Sequence, residues 1–185
     1  MIRWFGRRGK VDTPKALESG DFSPSPIDAI RARLAESDSV DDVIATLREM
    51  VRPIIGADGI TVVQREGDEV VYVTEDAVAP LWAGQRFPIR VCISGMAIQA
   101  RAPIVIPNIL EDKRVPLNAY LATFVRSMVM VPVGHGEPHM AMGAYWRVAE
   151  PITSIAVDRM SAIAAVAADA LARIEGGGDE GVQVA

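Results

Sequence analysis

The spacing of apolar residues predicts two helices near the beginning of the chain. The first begins at Pro26, where proline suits the first helical position and Ser25 serves as N-cap. Its apolar face consists of Ile27, Ile30 and Leu34. The second begins at Ser39, with Asp42 as its capping-box partner, and ends at Gly56. Its apolar stripe consists of Val40, Val43, Ile44, Leu47, Val51 and Ile54.

From residue 60 onward, runs of β-branched residues replace the helical spacing and predict strands. The predicted strands cover residues 60–65, 69–74, 85–90, 103–106, 127–133 and 140–148. Gly67 and Asp68 form a hairpin turn, and flanking prolines favour an edge position for 103–106. Short helices are expected at 95–100, capped by Ser94, and at 117–124, and a long one at about 153–175. This order predicts an α+β fold with antiparallel pairing and terminal helices on one face.

Composition fits one globular domain and excludes several classes of protein. Half of the 185 residues are hydrophobic and 23% are charged, which is enough to bury a core. The net charge of −5 argues against nucleic acid as the main partner. The single cysteine excludes an internal disulfide, and no apolar run reaches the length of a membrane span. We therefore expect a cytoplasmic protein.

The ends of the chain differ in composition from its centre. We expect residues 1–25 to form a flexible basic N-terminal arm, in which Trp4 and Phe5 leave partner or membrane-surface docking open as an alternative to a solvated tail. We expect residues 26–175 to form the domain and residues 176–185 to form a disordered acidic tail.

Four blocks in the second half of the chain follow one another in a characteristic order: ISGMAIQARAPIVIPNI, DKRVP, AYLATFVRSMVMVPV and AMGAYW. In this order they resemble the GAF domain family, and most of all the GAF sensory domains of bacterial sensor histidine kinases. The resemblance covers roughly residues 27–174, and residues 93–146 are its specific part. It implies a central antiparallel sheet of about six strands, flanking helices that dimerise, and a ligand pocket under a lid on the opposite face.

Two positions depart from the pattern of these kinases. Met96 stands where tryptophan is common in Ser-Gly-Trp-Ala, and Asn108 stands where aspartate commonly follows Ile-Pro. The first change replaces a rigid aromatic side chain with a flexible one in or near the pocket. The second removes a charge from its mouth. The ligand of such relatives therefore does not transfer to this chain, and its identity is unknown.

The resemblance implies a stand-alone sensory domain of a bacterial two-component system, with no catalysis of its own. It would bind a small molecule and signal through dimeric terminal helices to a partner, a sensor kinase or another signalling protein. The residues after 175 are too few for a kinase module, and neither G-x-x-x-x-G-K nor G-x-G-x-x-G occurs. A ligand-free structural dimerisation module with a filled pocket is an alternative.

Candidate pocket residues come from the lid, residues 107–124, and from the strands beneath it. The polar candidates are Asp112, Arg114 and Tyr120. Arg114 or Arg126 could meet an anionic ligand, and Tyr120 could hydrogen-bond one. The competing interpretation of Asp112 and Arg114 is a solvated, self-paired charge cluster. The apolar candidates, some of which must be core, are Trp82, Phe87, Met96, Phe124, Met128, Met130 and Tyr145. Strand alternation places Met128 and Met130 on one face.

Cys92 is the candidate nucleophile, and we include it among the pocket residues. Some GAF relatives attach a bilin through a cysteine near the short helix, but no cysteine lies near Asn118, which argues against a covalent bilin. Others reduce free methionine sulfoxide, and a divergent reductase using Cys92 is a second alternative. That reaction generally needs a resolving thiol, which this chain lacks. A small buried residue at a strand end is the favoured interpretation.

A metal site is not expected. His135, Glu137 and His139 lie close together in a hairpin turn, but that turn offers no obvious fourth ligand. His135 and His139 are the only histidines of the sequence, which disfavours histidine-based acid–base catalysis. Exposed turn residues are the favoured interpretation.

The long C-terminal helix carries an apolar seam at heptad spacing. A 4-3-4-3-4 spacing relates Ala156, Met160, Ile163, Ala167, Ala170 and Ile174. The helix has further apolar residues, including Ile155 and Val166, and this excess favours a homodimer with the seam as its interface. The alternative is that the seam packs only on the chain's own sheet and first two helices.

Overall fold

Five helices and six strands form residues 25–178, the part of the chain that the computed structural model describes. In chain order they are α1 (Pro26–Ala35), α2 (Val40–Ile55), β1 (Gly59–Glu66), β2 (Glu69–Ala77), β3 (Arg86–Pro88), α3 (Ile93–Ala100), β4 (Ile104–Ile106), α4 (Leu117–Tyr120), β5 (Ser127–Val133), β6 (Met140–Trp146) and α5 (Ser154–Gly178). The predicted α+β class is confirmed. The predicted basic arm lies outside the described residues except for Ser25, and the acidic tail lies outside them from residue 179 on.

All six strands join one antiparallel sheet in the order β3-β2-β1-β6-β5-β4. The hairpin of β1 and β2 turns at Gly67 and Asp68 as predicted, with Glu66 paired to Glu69. β4 lies at an edge, as its flanking prolines indicated. The two central strands, β1 and β6, come from opposite ends of the domain and pair from Gly59 with Tyr145 to Gln64 with Met140.

Each face of the sheet carries its own core. The helix-face core joins α1, α2 and α5 to one side of the sheet and is built from aliphatic residues such as Leu34, Leu47 and Ile163. The lid-face core lies on the other side, beneath α3, α4 and the lid, and contains aromatic residues and methionines such as Tyr72 and Met128. Alternation along each strand divides its side chains between the two cores.

The helices begin at polar caps that the sequence indicates. Ser25 Oγ accepts the N–H of Asp28 at the start of α1. In α2, Ser39 Oγ accepts the N–H of Asp42 while the Asp42 carboxylate accepts the N–H of Ser39, both at 3.1 Å. This reciprocal pair is the predicted capping box.

Several predicted boundaries differ from those in the structure. α3 begins at Ile93 with Cys92 as N-cap, because Ser94 lies inside the first turn, where its hydroxyl bonds Tyr72. The third strand is only three residues long, and α4 ends at Tyr120, four residues short of its predicted end. α5 continues to Gly178, so residues 176–178 belong to this helix and not to a tail.

The seam of α5 faces the chain's own sheet. Ala156, Met160, Ile163, Ala167 and Ala170 are buried in the helix-face core, and Ile174 packs against it. Within the single chain these residues therefore pack on its own sheet and first two helices, as the alternative interpretation has it, and their role as a dimer interface stays a prediction. On the rest of the helix, Ile155 is 61% exposed, whereas Val166 is half-buried and packs against the helix-face core.

Candidate functional site

Aromatic side chains are concentrated on the lid face of the sheet. Seven aromatic residues lie within the described part of the chain, and Trp146 is the one that packs against the helix-face core. The other six belong to the lid-face core or pack against it: Tyr72, Trp82, Phe87, Tyr120, Phe124 and Tyr145. The two cores of one sheet thus differ sharply in composition.

Four of these rings line a cleft of about 60 Å³ that opens at the surface, which we call the aromatic cleft. Its walls are Tyr72, Trp82, Phe87 and Tyr120, completed by Val91, Cys92, Pro116 and Ala119. The rings meet edge to face, with centroid separations of 5.5 Å for Tyr72–Trp82 and Tyr72–Phe87 and 4.8 Å for Trp82–Tyr120. This geometry is the favourable one for aromatic quadrupoles. β2, β3, α4 and the 78–85 connection each contribute one ring.

Hydrogen bonds hold both the backbone and the indole ring of Trp82. The Glu75 carboxylate accepts the backbone N–H groups of Leu81, Trp82 and Ala83 at 2.8–2.9 Å, which fixes the connection that carries the indole. The indole Nε1 of Trp82 donates to the Ala119 carbonyl of α4 at 3.1 Å. The same indole therefore forms a wall of the cleft and a direct link to the lid.

Tyr145 fills the space deeper beneath the lid. Its ring is fully buried, and its hydroxyl lies 2.9 Å from Thr61 Oγ1. Gly143 makes room for it, since a Cβ there would overlap the Tyr145 hydroxyl and come within 2.9 Å of Met130 Cε. Met128 and Met130 are fully buried on the same face. Side chains of the protein thus fill the lid-face core beneath the lid, and the aromatic cleft is the space that remains open at its surface.

Cys92 lies at the inner edge of the cleft and is 4% exposed. As the N-cap of α3, its Sγ accepts the N–H of Gly95 and the hydroxyl of Ser94, both at 3.4 Å. Gly95 permits a close approach to the Ile89 carbonyl oxygen, which a Cβ would overlap. The thiol thus has a structural role in starting the helix, in agreement with its interpretation as a small buried residue.

The charged candidates of the lid pair with each other outside the cleft. Arg114 Nε donates to Asp112 Oδ1 at 2.9 Å, and this hydrogen bond is the main reason that the pKa of Asp112 is lowered. Neither residue lines the aromatic cleft. They form the self-paired charge cluster of the competing interpretation, and their contact with a ligand stays a prediction.

The remaining candidates are brought together by the fold. Trp82, Phe87, Cys92 and Tyr120 line the cleft. Met96, Phe124, Met128, Met130 and Tyr145 pack beneath or beside it. Tyr120 does not offer its hydroxyl to the cleft, because it is buried and donates to Met128 Sδ at 3.7 Å. Sequence reasoning missed Tyr72 and Glu75; alternation along β2 from Val70 would have indicated the lid face for Tyr72.

Both histidines lie in the turn that connects β5 to β6. His135 Nε2 is 2.8 Å from Asp169 Oδ1 of α5, and Arg101 contacts Glu137 at 3.4 Å. Within residues 25–178, no group of three or more acidic, histidine or cysteine side chains has the arrangement of a metal site. Among the described helices, none combines the length and apolarity needed to cross a lipid bilayer.

The chain belongs to the GAF domain family, whose sequence model matches residues 37–172. This range contains the whole sheet, the aromatic cleft, the lid and most of α5. The resemblance stated from the four sequence blocks is thereby confirmed. No curated protein sequence matches the chain significantly.

Solved structures of low sequence identity share the fold. The GAF domain of an Acinetobacter phosphoenolpyruvate-protein phosphotransferase superimposes with a TM-score of 0.69 at 13% identity, over 83% of this chain and 95% of that domain. Free methionine-R-sulfoxide reductase from Neisseria meningitidis, solved with its substrate, gives 0.70 at 14% identity, over 82% and 89%. The phycocyanobilin-bound GAF domain of a cyanobacterial phytochrome gives 0.69 at 18% identity, over 83% and 95%. At these identities the similarity establishes the fold alone.

Proposed function

We propose that the protein is a regulatory sensory domain that binds a small molecule in the aromatic cleft and has no catalytic activity of its own. The observation that carries this proposal is the unequal distribution of aromatic side chains between the two cores. Aliphatic residues suffice to fill the helix-face core of the same sheet. Aromatic walls are typical of ligand pockets.

Binding in this cleft requires movement of the lid. Ligand pockets usually enclose about 300 Å³ or more, whereas the aromatic cleft holds about 60 Å³. The 3.1 Å bond from Trp82 to Ala119 ties the indole to α4. Because of this bond, α4 and the Trp82 indole move together, so the position of the lid reports whether the cleft is occupied.

The signal passes to a partner protein, a sensor kinase or another signalling protein, through a homodimer of the terminal helices. The exposed side of α5, with Ile155, supplies an apolar contact for this dimer. Two of the similar solved structures contain a bound small molecule, a substrate in one and phycocyanobilin in the other. Those structures support small-molecule recognition by this fold and leave the ligand of this chain open.

Mass spectrometry of freshly purified protein, native and denatured, tests the proposal. We expect a native mass of two chains plus a small component that is lost on denaturation. If the native protein carries no ligand, soaking it with metabolite extracts and repeating the measurement extends the test. A protein that remains bare in every extract contradicts small-molecule sensing.

A ligand-free dimerisation module is the second candidate, and the filled interior supports it. Tyr145, Met128 and Met130 occupy the space in which a larger ligand would lie. Amide hydrogen exchange distinguishes the two functions: a sensor shows slower exchange across residues 107–124 when its ligand is added. A structural module shows the same exchange in the lid with and without extract.

The sulfoxide reductase alternative receives less support from the site. Cys92 is buried and engaged by Ser94 and Gly95, and the chain has no second cysteine to resolve a sulfenic acid. Turnover of free methionine sulfoxide that depends on Cys92 and an external thiol would revive it.

A further inference from the structure

Every polar side-chain atom in the wall of the aromatic cleft already has a partner within the chain. Tyr72 Oη lies 3.3 Å from Ser94 Oγ, Trp82 Nε1 donates to Ala119, and Tyr120 Oη donates to Met128 Sδ. Cys92 Sγ accepts from Ser94 and Gly95. A ligand that needed a hydrogen bond from these atoms would first have to break an internal one, and that exchange gains little. The cleft therefore favours a group that neither donates nor accepts hydrogen bonds.

The cleft also offers no charged side chain for a salt bridge. No Asp, Glu, Lys or Arg is among the residues that line it. Burial raises the pKa of Tyr72 and of Tyr120 above the usual range of a phenol, so both rings stay neutral at physiological pH. An anionic head group would meet neither a cation nor a free donor in this site.

One negative charge lies directly behind the wall. The Glu75 carboxylate is bonded to three backbone N–H groups, including that of Trp82 at 2.8 Å. Among the described residues, no basic side chain forms an ion pair with it. Its charge makes the electrostatic potential near Trp82 more negative, and the Arg48 guanidinium, which donates to the Glu75 carbonyl oxygen at 3.1 Å, offsets part of this effect. The aromatic rings add the negative potential of their faces.

We propose that the aromatic cleft binds a quaternary ammonium head group, such as a trimethylammonium, with Trp82, Tyr72 and Tyr120 as its cation-binding rings. The inference rests on the proposed function and names the chemical class of its ligand. A quaternary ammonium carries a positive charge but no N–H donors, so it suits a site with negative potential and no free acceptors. A primary ammonium lacks the acceptors that it needs, and a neutral alkyl group gains nothing from Glu75.

A matched pair of probes separates charge from shape. Choline and 3,3-dimethylbutan-1-ol have nearly the same shape, but only choline is charged. We expect the Trp82 indole N–H resonance to shift on titration with choline, with an affinity at least about tenfold higher than that of the alcohol. Assignment of that resonance uses the Trp82→Phe variant, which lacks it.

Two pairs of variants test the rings and the charge separately. Tyr120→Leu removes a ring and should lower choline affinity several-fold, whereas Tyr120→Phe keeps the ring and should retain the affinity. Glu75→Gln removes the charge and keeps one of the two acceptor oxygens, so it should weaken the binding of choline more than the binding of the alcohol. Glu69→Gln, which removes an exposed charge from the start of β2, is the control for a general charge effect.

The outcomes distinguish this inference from the proposed function. Equal binding of choline and the alcohol overturns the cationic class, while a ligand found by native mass spectrometry would still support a sensor. Absence of binding by either probe to the wild-type protein, whose fold is verified by its NMR spectrum, also overturns the inference. A choline preference that survives both Tyr120→Leu and Glu75→Gln places the cation elsewhere and overturns the assignment to this cleft.

Discussion

At the scale of single residues, Gly95 has the strictest steric requirement among the features around the cleft. A Cβ at this position would overlap the carbonyl oxygen of Ile89 in the backbone, which cannot move aside as a flexible side chain can. We predict that Gly95→Ala lowers the free energy of unfolding by about 3 kcal/mol, as overpacking in a tight core does. Urea denaturation followed by circular dichroism measures the change.

The matched control is a helical glycine in open surroundings. Nothing lies within 4 Å of a Cβ built on Gly176 in α5. Gly176→Ala should therefore be neutral or stabilise the protein by up to about 1 kcal/mol, the difference in helix propensity. Equal effects of the two substitutions would show that the approach to Ile89 relaxes freely.

The hydrogen bond that holds Tyr145 across the sheet gives a second prediction. Tyr145→Phe removes the partner of the buried Thr61 hydroxyl and should destabilise the protein by about 1–2 kcal/mol. Adding Thr61→Val should recover part of that loss, since no hydroxyl then lacks its partner. Thermal denaturation of the two single variants and the double variant measures the coupling. Strictly additive losses would contradict it.

Single residues also show how far the sequence could predict the site. Alternation correctly placed Met128 and Met130 on one face, because the period of a strand does not depend on its neighbours. For Asp112 and Arg114 the sequence left two interpretations open, because whether a charge pair two residues apart pairs with itself depends on the conformation of the loop. The sequence does not reveal the role of Glu75, because its carboxylate accepts three backbone N–H groups only when residues 81–83 fold back onto it.

At the scale of elements, the capping box of α2 gives a prediction about stability and pH. Ser39→Ala should cost about 1 kcal/mol, the usual value for a lost N-cap. The hydrogen bond from Ser39 lowers the pKa of Asp42 below 3.8. A carboxyl with a lowered pKa in the folded state stabilises the fold above its unfolded pKa and loses that contribution as pH falls through the folded value.

Asp42→Asn isolates the charge in this box. The difference in unfolding free energy between this variant and the wild type should be constant near neutral pH and shrink below pH 3.8. Chemical denaturation at a series of pH values measures it. The same series on Asp41→Asn, at the neighbouring position in the first turn, is the control. A difference that grows on acidification would contradict the assignment.

Elements with strong local signals were predicted almost to the residue, and those defined by tertiary contacts were not. β5 has its predicted bounds because residues 127–133 form an apolar run between a polar position and a glycine turn. The start of α3 was misplaced because Ser94 bonds Tyr72 across the lid-face core. A contact between residues far apart in sequence has no local signature.

At the scale of the whole molecule, the two faces of α5 give opposite predictions for association. Ile155→Glu changes an exposed apolar residue and should convert a dimer to monomers with an unchanged circular dichroism spectrum. Ala167→Leu overfills the buried face and should lower the free energy of unfolding by about 1–3 kcal/mol without changing the association state. Light scattering and urea denaturation measure the two properties. Dissociation caused by Ala167→Leu alone would show that the seam meets a second chain.

The heptad seam shows a limit of sequence patterns at this scale. Small residues at 4-3 spacing allow close approach of any apolar surface, and here that surface is the sheet with α1 and α2. The fold class was nevertheless predictable, since hairpins and terminal helices leave few ways to cover one sheet. The pattern along α5 shows which of its faces is buried, and only the arrangement of the other elements shows what covers that face.

The central position of β1 has a consequence for how the protein is made. β1 can pair with β2 as soon as the first hairpin leaves the ribosome, but its other partner, β6, is synthesised late. Until then the nascent chain presents an unpaired strand edge whose buried residues include Ile60 and Val62. Such edges recruit other chains, and long-range pairing is slow to form. Synthesis of this domain therefore depends on keeping that edge shielded until residues 140–146 emerge and complete the sheet.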